Sequence, residues 1–267
     1  MKHKSSKDAA ADPAVLTTTP ASTVGGRRSY GTSPPQQSGT AKRTAELDSE
    51  LESSTSQPGD LSDAVRRLMR HVPYPVAVIT ATDLSHSPEG GPEGWRGATV
   101  SSFNTVALLP RPVVSFNIKK ISSTFDAIRS SGHFYVHLLS EDADEAHKIA
   151  SKFTKGNASY PFHDDSGELE SFALVSDVRP DLKRMPPILH FEKESGDLVV
   201  PFRLHCRFLQ DKLVEIGDHV VLFGEVDHVF HDVGAFYDQS SDTPISCLVY
   251  VDGSYCRVAV KSKMSRT

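Results

Sequence analysis

Apolar residues recur at two periods along this chain, and the changes of period mark its elements. Leu61, Val65, Leu68 and Met69 fall at i, i+4, i+7 and i+8, which predicts one face of a short helix starting near Asp60, with Arg66, Arg67 and Arg70 outside it. Pro73 and Pro75 end it, because the residue before a proline is pushed out of the helical region. The run Val76-Ala77-Val78-Ile79-Thr80 reads as a buried strand, the Pro/Gly/Ser/Glu-rich segment 83–97 as a long loop, and 99–107 as a second strand pairing with the first. In 112–119, Val114, Phe116 and Ile118 alternate with Ser115, Asn117 and Lys119, so one set faces a core and the other lines the opposite side. Ser122 or Ser123 then caps a short helix through Ile128, with Asp126 three residues after Ser123 in a capping-box-like position and Gly132 closing it.

A further strand is predicted over His133–Leu139, where Phe134, Val136 and Leu138 alternate with His133, Tyr135 and His137. Ser140 opens a helix with acid in its first turn and Ala143, Ala146, Ala150 and Phe153 along one side. Residues 155–187 are irregular and bounded by prolines. Strands return in the last third: Leu204, Cys206 and Phe208 alternating with Arg203, His205 and Arg207, then His219 to Phe230, then Cys247 to Val251. Many strands, few short helices and no β-α-β alternation predict a mainly β protein, an antiparallel barrel closed or partly closed on itself.

Composition changes this picture at the N-terminus. Residues 1–60 hold a single aromatic, Tyr30, and are dominated by Ser, Thr, Ala, Pro and Gly, too little apolar surface to offset ordering the backbone. We expect a disordered tail over 1–59, one folded domain over 60–260 and a short C-terminal tail over 261–267. Residues 1–43 carry seven Lys or Arg against two Asp, or +5, so the total of −5 leaves −10 for the rest. The basic tail fits a mitochondrial presequence, with Arg27-Arg28-Ser29-Tyr30 before a processing site, as well as it fits a cytosolic tail, since Asp8, Asp12 and prolines work against an amphipathic helix. The expected location is the mitochondrial matrix or the cytoplasm. An acidic domain with no basic stripe argues against nucleic acid as a partner, and no apolar run is long enough for a membrane helix. Three cysteines, Cys206, Cys247 and Cys256, without Cys-x-x-Cys spacing, are expected as buried free thiols in a reducing compartment.

Candidate chemistry concentrates in Thr99-Val100-Ser101-Ser102-Phe103-Asn104 and the strand after it, where small hydroxyls, an amide and a cation sit between apolar residues. Such a surface suits a phosphorylated planar ligand, because a phosphate dianion takes hydroxyls, amide N–H groups and a Lys or Arg. A Gly-x-Ser-x-Gly elbow, a Gly-Lys-Ser/Thr phosphate loop and a Gly-x-Gly-x-x-Gly turn are all absent from the sequence. The twelve histidines are scattered. His133 and His137 share a strand face without making a compact ligand pair, and no third ligand stands near in sequence, so no metal site is expected.

The segments 70–80 (Arg-His-Val-Pro-Tyr-Pro-Val-Ala-Val-Ile-Thr), Thr99–Phe103, Ser122-Ser123-Thr124, His133-Phe134-Tyr135-Val136, Gly217-Asp218-His219 and Gly253-Ser254-Tyr255, in this order and spacing, resemble the flavin reductase-like proteins with the FMN-binding split barrel. The resemblance covers about residues 65–258. It implies a homodimeric antiparallel split barrel that holds FMN near the subunit interface and receives hydride from NADH or NADPH without a Rossmann turn. By the same resemblance Thr99, Val100, Ser101 and Ser102 contact the isoalloxazine and ribityl chain, and Asn117, Lys119, Ser122, Ser123 and Thr124 grip the phosphate, helped by free N–H groups at the helix start. His219 is implied beside the flavin on the nicotinamide side, oriented by Asp218; the alternative is a plain turn histidine. Phe103 and Tyr255 read as packing residues. The long loop 83–97 with the only tryptophan, Trp95, and an enlarged region over 160–200 depart from compact members of the family. The implied activity is an NAD(P)H:flavin oxidoreductase, with a flavin-dependent monooxygenase as a partner receiving reduced flavin. A non-catalytic FMN-binding protein for storage, sensing or delivery is the alternative, and tetrapyrrole handling a third reading. Nucleotide preference, the choice among FMN, FAD and riboflavin, and the physiological acceptor stay open.

Overall fold

The computed structural model describes residues 58–140, 144–174, 184–191, 199–231 and 246–257. The expected N-terminal tail with its processing site, Ala143 and the C-terminal tail lie outside these residues. Helix α1 (Pro58–Met69) forms as its spacing predicts, yet Leu61, Val65, Leu68 and Met69 all stand exposed, so its apolar stripe packs on no core among the described residues. Strand β1 (Tyr74–Pro75) follows.

The main sheet is built from β2 (Ala77–Thr82), β3 (Trp95–Val100), β4 (Asn104–Ala107), β5 (Val113–Lys119), β6 (His133–Leu138), β9 (Phe202–Phe208), β10 (Val214–Ile216) and β11 (His219–His231). Its order is β3-β2-β6-β9-β11-β5-β4, with β10 on β11, and every pairing is antiparallel. β7 (Ala173–Leu174) and β8 (Ile188–Leu189) form a small pair, and β12 (Val249–Val251) and β13 (Ser254–Cys256) a three-stranded sheet with β1. Helices α2 (Ser123–Ser131) and α3 (Asp144–Thr154) complete the fold. Among the described residues no helix is long and apolar enough to cross a membrane.

Alternation places the side chains as the period of two requires. Ala77, Ile79, Val114, Phe116, Phe134, Val136, Cys206, Val220 and Leu222 form one buried layer, which Phe125 and Ile128 of α2 join. The other face of β2 and β3 packs Val78 and Trp95 against Ala146, Ile149 and Phe153 of α3 and against Phe162, Phe172 and Leu189. Ser122, not Ser123, caps α2: its backbone is extended (φ −147°) and its hydroxyl accepts from the Phe125 N–H, while Gly132 closes the helix in the left-handed region (φ +74°). Asp126 therefore lies in the first turn instead of completing a box with Ser123.

The strand expected over 99–107 is two strands. β3 already begins at Trp95, because the buried indole donates to the Gly90 carbonyl (3.2 Å) and meets the Phe162 ring edge-on at 5.6 Å, which draws the end of the loop into the ladder. At Ser101–Phe103 the chain leaves β2 and crosses to β5 as β4. Of the cysteines only Cys206 is fully buried; Cys247 and Cys256 are partly exposed, and all three are free thiols.

His137, fully buried, is held by two backbone groups: its Nδ1 lies 3.1 Å from the Val78 carbonyl, and Nε2 accepts from the Leu189 N–H at 3.0 Å. Nε2 is thus an acceptor, so Nδ1 carries the proton and the ring is neutral. Burial pushes its pKa down to about 3. The unfolded chain binds a proton here below about pH 6.5 and the folded chain does not, so this contribution to stability is complete above that pH and is lost as pH falls toward 3, on the order of 4 kcal/mol in all. Urea midpoints measured across this window should fall in the wild type and fall less in His137→Gln; equal slopes would contradict the assignment.

Candidate functional site

A groove of about 910 Å³ opens where the sheet is split. Among the described residues β3 ends the sheet, with β2 as its one ladder neighbour, and its other side faces the groove. The groove is lined by the end of β3 and its continuation to Ser102, by Asn117 and Lys119 of β5, by Ser122 and Ser123, by His219, and by the corner after α3 from Thr154 to Ala158. Ser102 straddles the split: its hydroxyl accepts the Asn117 N–H at 2.8 Å and lies 3.4 Å from the Asn117 carbonyl.

Lys119 and His219 are direct cross-strand partners, so their side chains leave the sheet on the same face. Their register is set by the turn between β10 and β11. Ile216 pairs with His219, leaving Gly217 and Asp218 as the two central residues, and Gly217 takes φ +59°, the conformation that the first position of a type II′ turn needs and a side chain resists. The Asp218 carboxylate accepts from His219 Nδ1 at 2.7 Å, and this bond, more than any other cause, holds the carboxyl below its usual range. A carboxylate can only accept, so the proton sits on Nδ1 and Nε2 is the atom left to meet a ligand. Neighbouring Lys120 is engaged elsewhere, in an ion pair with Glu215 at 2.7 Å.

The first turn of α2 adds unpaired N–H groups and the positive end of the helix dipole beside Ser122 and Ser123. Together with Lys119 and Lys155 this is a donor set for a dianion. The fit to a phosphorylated ligand rests on that chemistry.

Sequence-predicted residues take distinct places. Thr99 lines the groove, but its hydroxyl is donated to the Ala150 carbonyl at 2.6 Å, so it offers a ligand its backbone and ties β3 to α3. Val100 turns its side chain into the barrel and lines the groove through its main chain. Ser101, Ser102, Asn117, Lys119, Ser122, Ser123 and His219 all line it. Thr124 does not; it is buried, with Oγ1 lacking a partner among the described residues. Asp218 also stays outside the lining and acts on His219. The sequence reading missed Lys155, Thr154, Gly156, Ala158 and Ile121, the last 97% exposed. Lys155-Gly156, with Gly156 at φ +57°, looks in sequence like any helix ending, which is why it gave no signal. Trp95 is a packing anchor. It also lines a second groove of about 600 Å³, with Arg96, Tyr160 and His163 among its walls, where the long loop meets the enlarged region. Tyr255 is structural, packed on the outer layer with its hydroxyl 3.2 Å from Thr154 Oγ1.

An antiparallel split barrel with a cationic, hydroxyl-lined groove along its open seam defines the class. Residues 69–259 match the flavin reductase like domain, and the chain belongs to that family. It is 29% identical over 199 residues to the NADH:FMN oxidoreductase of Rhodococcus qingshengii, covering 74% of this chain and 81% of that protein. Among solved structures it is similar to a flavin reductase domain protein from Arthrobacter sp. FB24 (17% identity, TM-score 0.52, 76% of this chain and 99% of that one). It is also similar to nitrilotriacetate monooxygenase component B from Mycobacterium thermoresistibile (20% identity, TM-score 0.50, 76% and 93%).

Proposed function

We infer that the protein is an NAD(P)H-dependent flavin oxidoreductase that binds FMN along the seam of its barrel. The observation that carries this reading is the Lys119–His219 cross-strand pair beside the start of α2, in a chain of the flavin reductase family. It sets a phosphate-binding cation and an oriented imidazole on one face of one groove. FMN supplies the redox chemistry, accepting hydride from the nicotinamide. The chain's own residues bind, orient and shield. Lys119, Lys155 and the α2 amides would hold the phosphate; the end of β3 and Ser101–Ser102 would meet the ring and ribityl chain; His219 Nε2 would position the nicotinamide nucleotide.

Orientation of this kind would turn a bimolecular encounter into an effectively unimolecular one, a contribution of roughly 7–11 kcal/mol at most. The partner in this reading is a flavin-dependent oxygenase that would take up the reduced flavin, in keeping with the oxygenase component among the similar folds. Purified full-length protein, assayed with NADH and NADPH against FMN, FAD and riboflavin, should oxidise nicotinamide in a flavin-dependent way, with FMN the best acceptor. Reduced flavin should be recovered in the filtrate of an anaerobic mixture. Flavin binding without nicotinamide oxidation would leave only the storage or delivery reading.

A further inference from the structure

The outer face of β6, β9 and β11 carries a group of nitrogen and oxygen donors that flavin reduction does not use. His133 from β6, His205 from β9 and Asp227 from β11 each offer one donor atom, and the three atoms lie within 4.8 Å of one another. His205 is 5% exposed, and its Nε2 has no hydrogen-bond partner among the described residues; the same holds for the buried Nδ1 of His133. A buried polar nitrogen left unpaired loses its water without replacement, so two on neighbouring rings call for a ligand. Asp227 approaches the other nitrogen of His205, its Oδ2 standing 3.9 Å from Nδ1, beyond hydrogen-bond reach.

The backbone is shaped to bring the third donor in. The register of β11 against β9 shifts between Val226 and His228, leaving Asp227 as the extra residue of a bulge. Val226 packs toward the barrel core, and in an unbroken strand His228 would point the same way. The bulge instead pairs His228 with His205, their rings stacked at 6.1 Å and 19°. Bulges re-aim side chains in this manner beside functional sites.

We propose that His133, His205 and Asp227 bind one divalent transition-metal ion of the zinc class, fastening β6, β9 and β11 together where the bulge interrupts the ladder. Two imidazoles and a carboxylate suit such an ion and leave a coordination position for water. Other groups on this face are compatible with it. Arg207 is neutralised by Glu225 at 2.8 Å, which also takes Arg111 at 2.6 Å; Tyr135 packs on the His205 ring at 5.2 Å, with Arg203 near it. Burial disfavours the charged form of both imidazoles. Ligands about 2.1 Å from zinc lie about 3.4 Å apart in a tetrahedron, so donors now within 4.8 Å of one another close in on binding and the stacked His133 and His205 rings, 5.2 Å and 12° apart, turn toward the ion. The Asp227 side chain, 24% exposed against 7% for His205, has the more room to move in. Eight residues of β11, about 26 Å of strand, separate the site from His219.

The test is metal titration of chelator-treated, dialysed full-length protein, by calorimetry with Zn2+ and by visible absorption with Co2+. One ion per chain is expected, with Zn2+ displacing Co2+ and a raised thermal midpoint in the presence of the ion. Asp227→Asn should lower the affinity at least tenfold, and His205→Phe should abolish stoichiometric binding, with FMN uptake kept in both. If His205→Phe also loses FMN uptake it has misfolded, and Asp227→Asn decides alone. Absence of saturable binding by the wild type, or wild-type affinity in Asp227→Asn, overturns the proposal.

Discussion

Lys119→Ala weakens FMN binding by roughly 10–100-fold while leaving riboflavin binding within about twofold. Hydrogen bonds to a charged partner contribute about 1.5–3 kcal/mol, and each 1.4 kcal/mol is a factor of ten in affinity. Riboflavin lacks the phosphate, so the difference between the two ligands isolates the ammonium–phosphate contact from any general loss of the groove. Lys119 is exposed at the end of β5, and its truncation touches neither buried layer, so stability should hardly change. Lys155→Ala tests the second cation: the double variant should lose more FMN affinity than either single one. Isothermal titration with both flavins reads all of this, and equal losses for FMN and riboflavin would move Lys119 away from the phosphate.

His219→Ala raises the nicotinamide nucleotide KM by roughly five- to tenfold, with FMN affinity nearly kept. A neutral hydrogen bond contributes about 1 kcal/mol, which sets the scale. The effect is on positioning, so Asp218→Asn should shift KM in the same direction and by less, because the amide still accepts from Nδ1 but no longer enforces the tautomer. A double variant whose KM rises no further than that of His219→Ala alone would mark the pair as acting together. Loss of FMN with an unchanged nucleotide KM would reassign His219 to the flavin.

Much of the barrel was legible because period-two alternation is strong where one face is buried: β5, β6, β9 and β11 appear where Phe116, Phe134, Cys206 and Leu222 demand them. The cap of α2 was legible to within one residue, Ser122 or Ser123, and Gly132 as its close, through residue types that few other conformations require. Elsewhere tertiary context overrode the local signal. Nothing in 99–107 says that the chain changes partner strand at Ser101, and the spacing of α1 says amphipathic without saying what covers it. Thr99 reads as a ligand hydroxyl until α3 is seen to take it. Lys155 and the His133–His205–Asp227 cluster were invisible for a common reason: each depends on strands or helices distant in sequence meeting in space.

Gly97 sits where β3 runs under α3, and a Cβ there would lie 2.6 Å from the Phe153 ring. The same helix accepts the Thr99 hydroxyl and delivers Lys155 at its end. Position 97 is therefore a fulcrum: even a single methyl group added on the core side would lever the helix outward and carry the ammonium away from its anion. A change that touches no ligand would then be mistaken, in an affinity assay, for damage to the binding residues themselves.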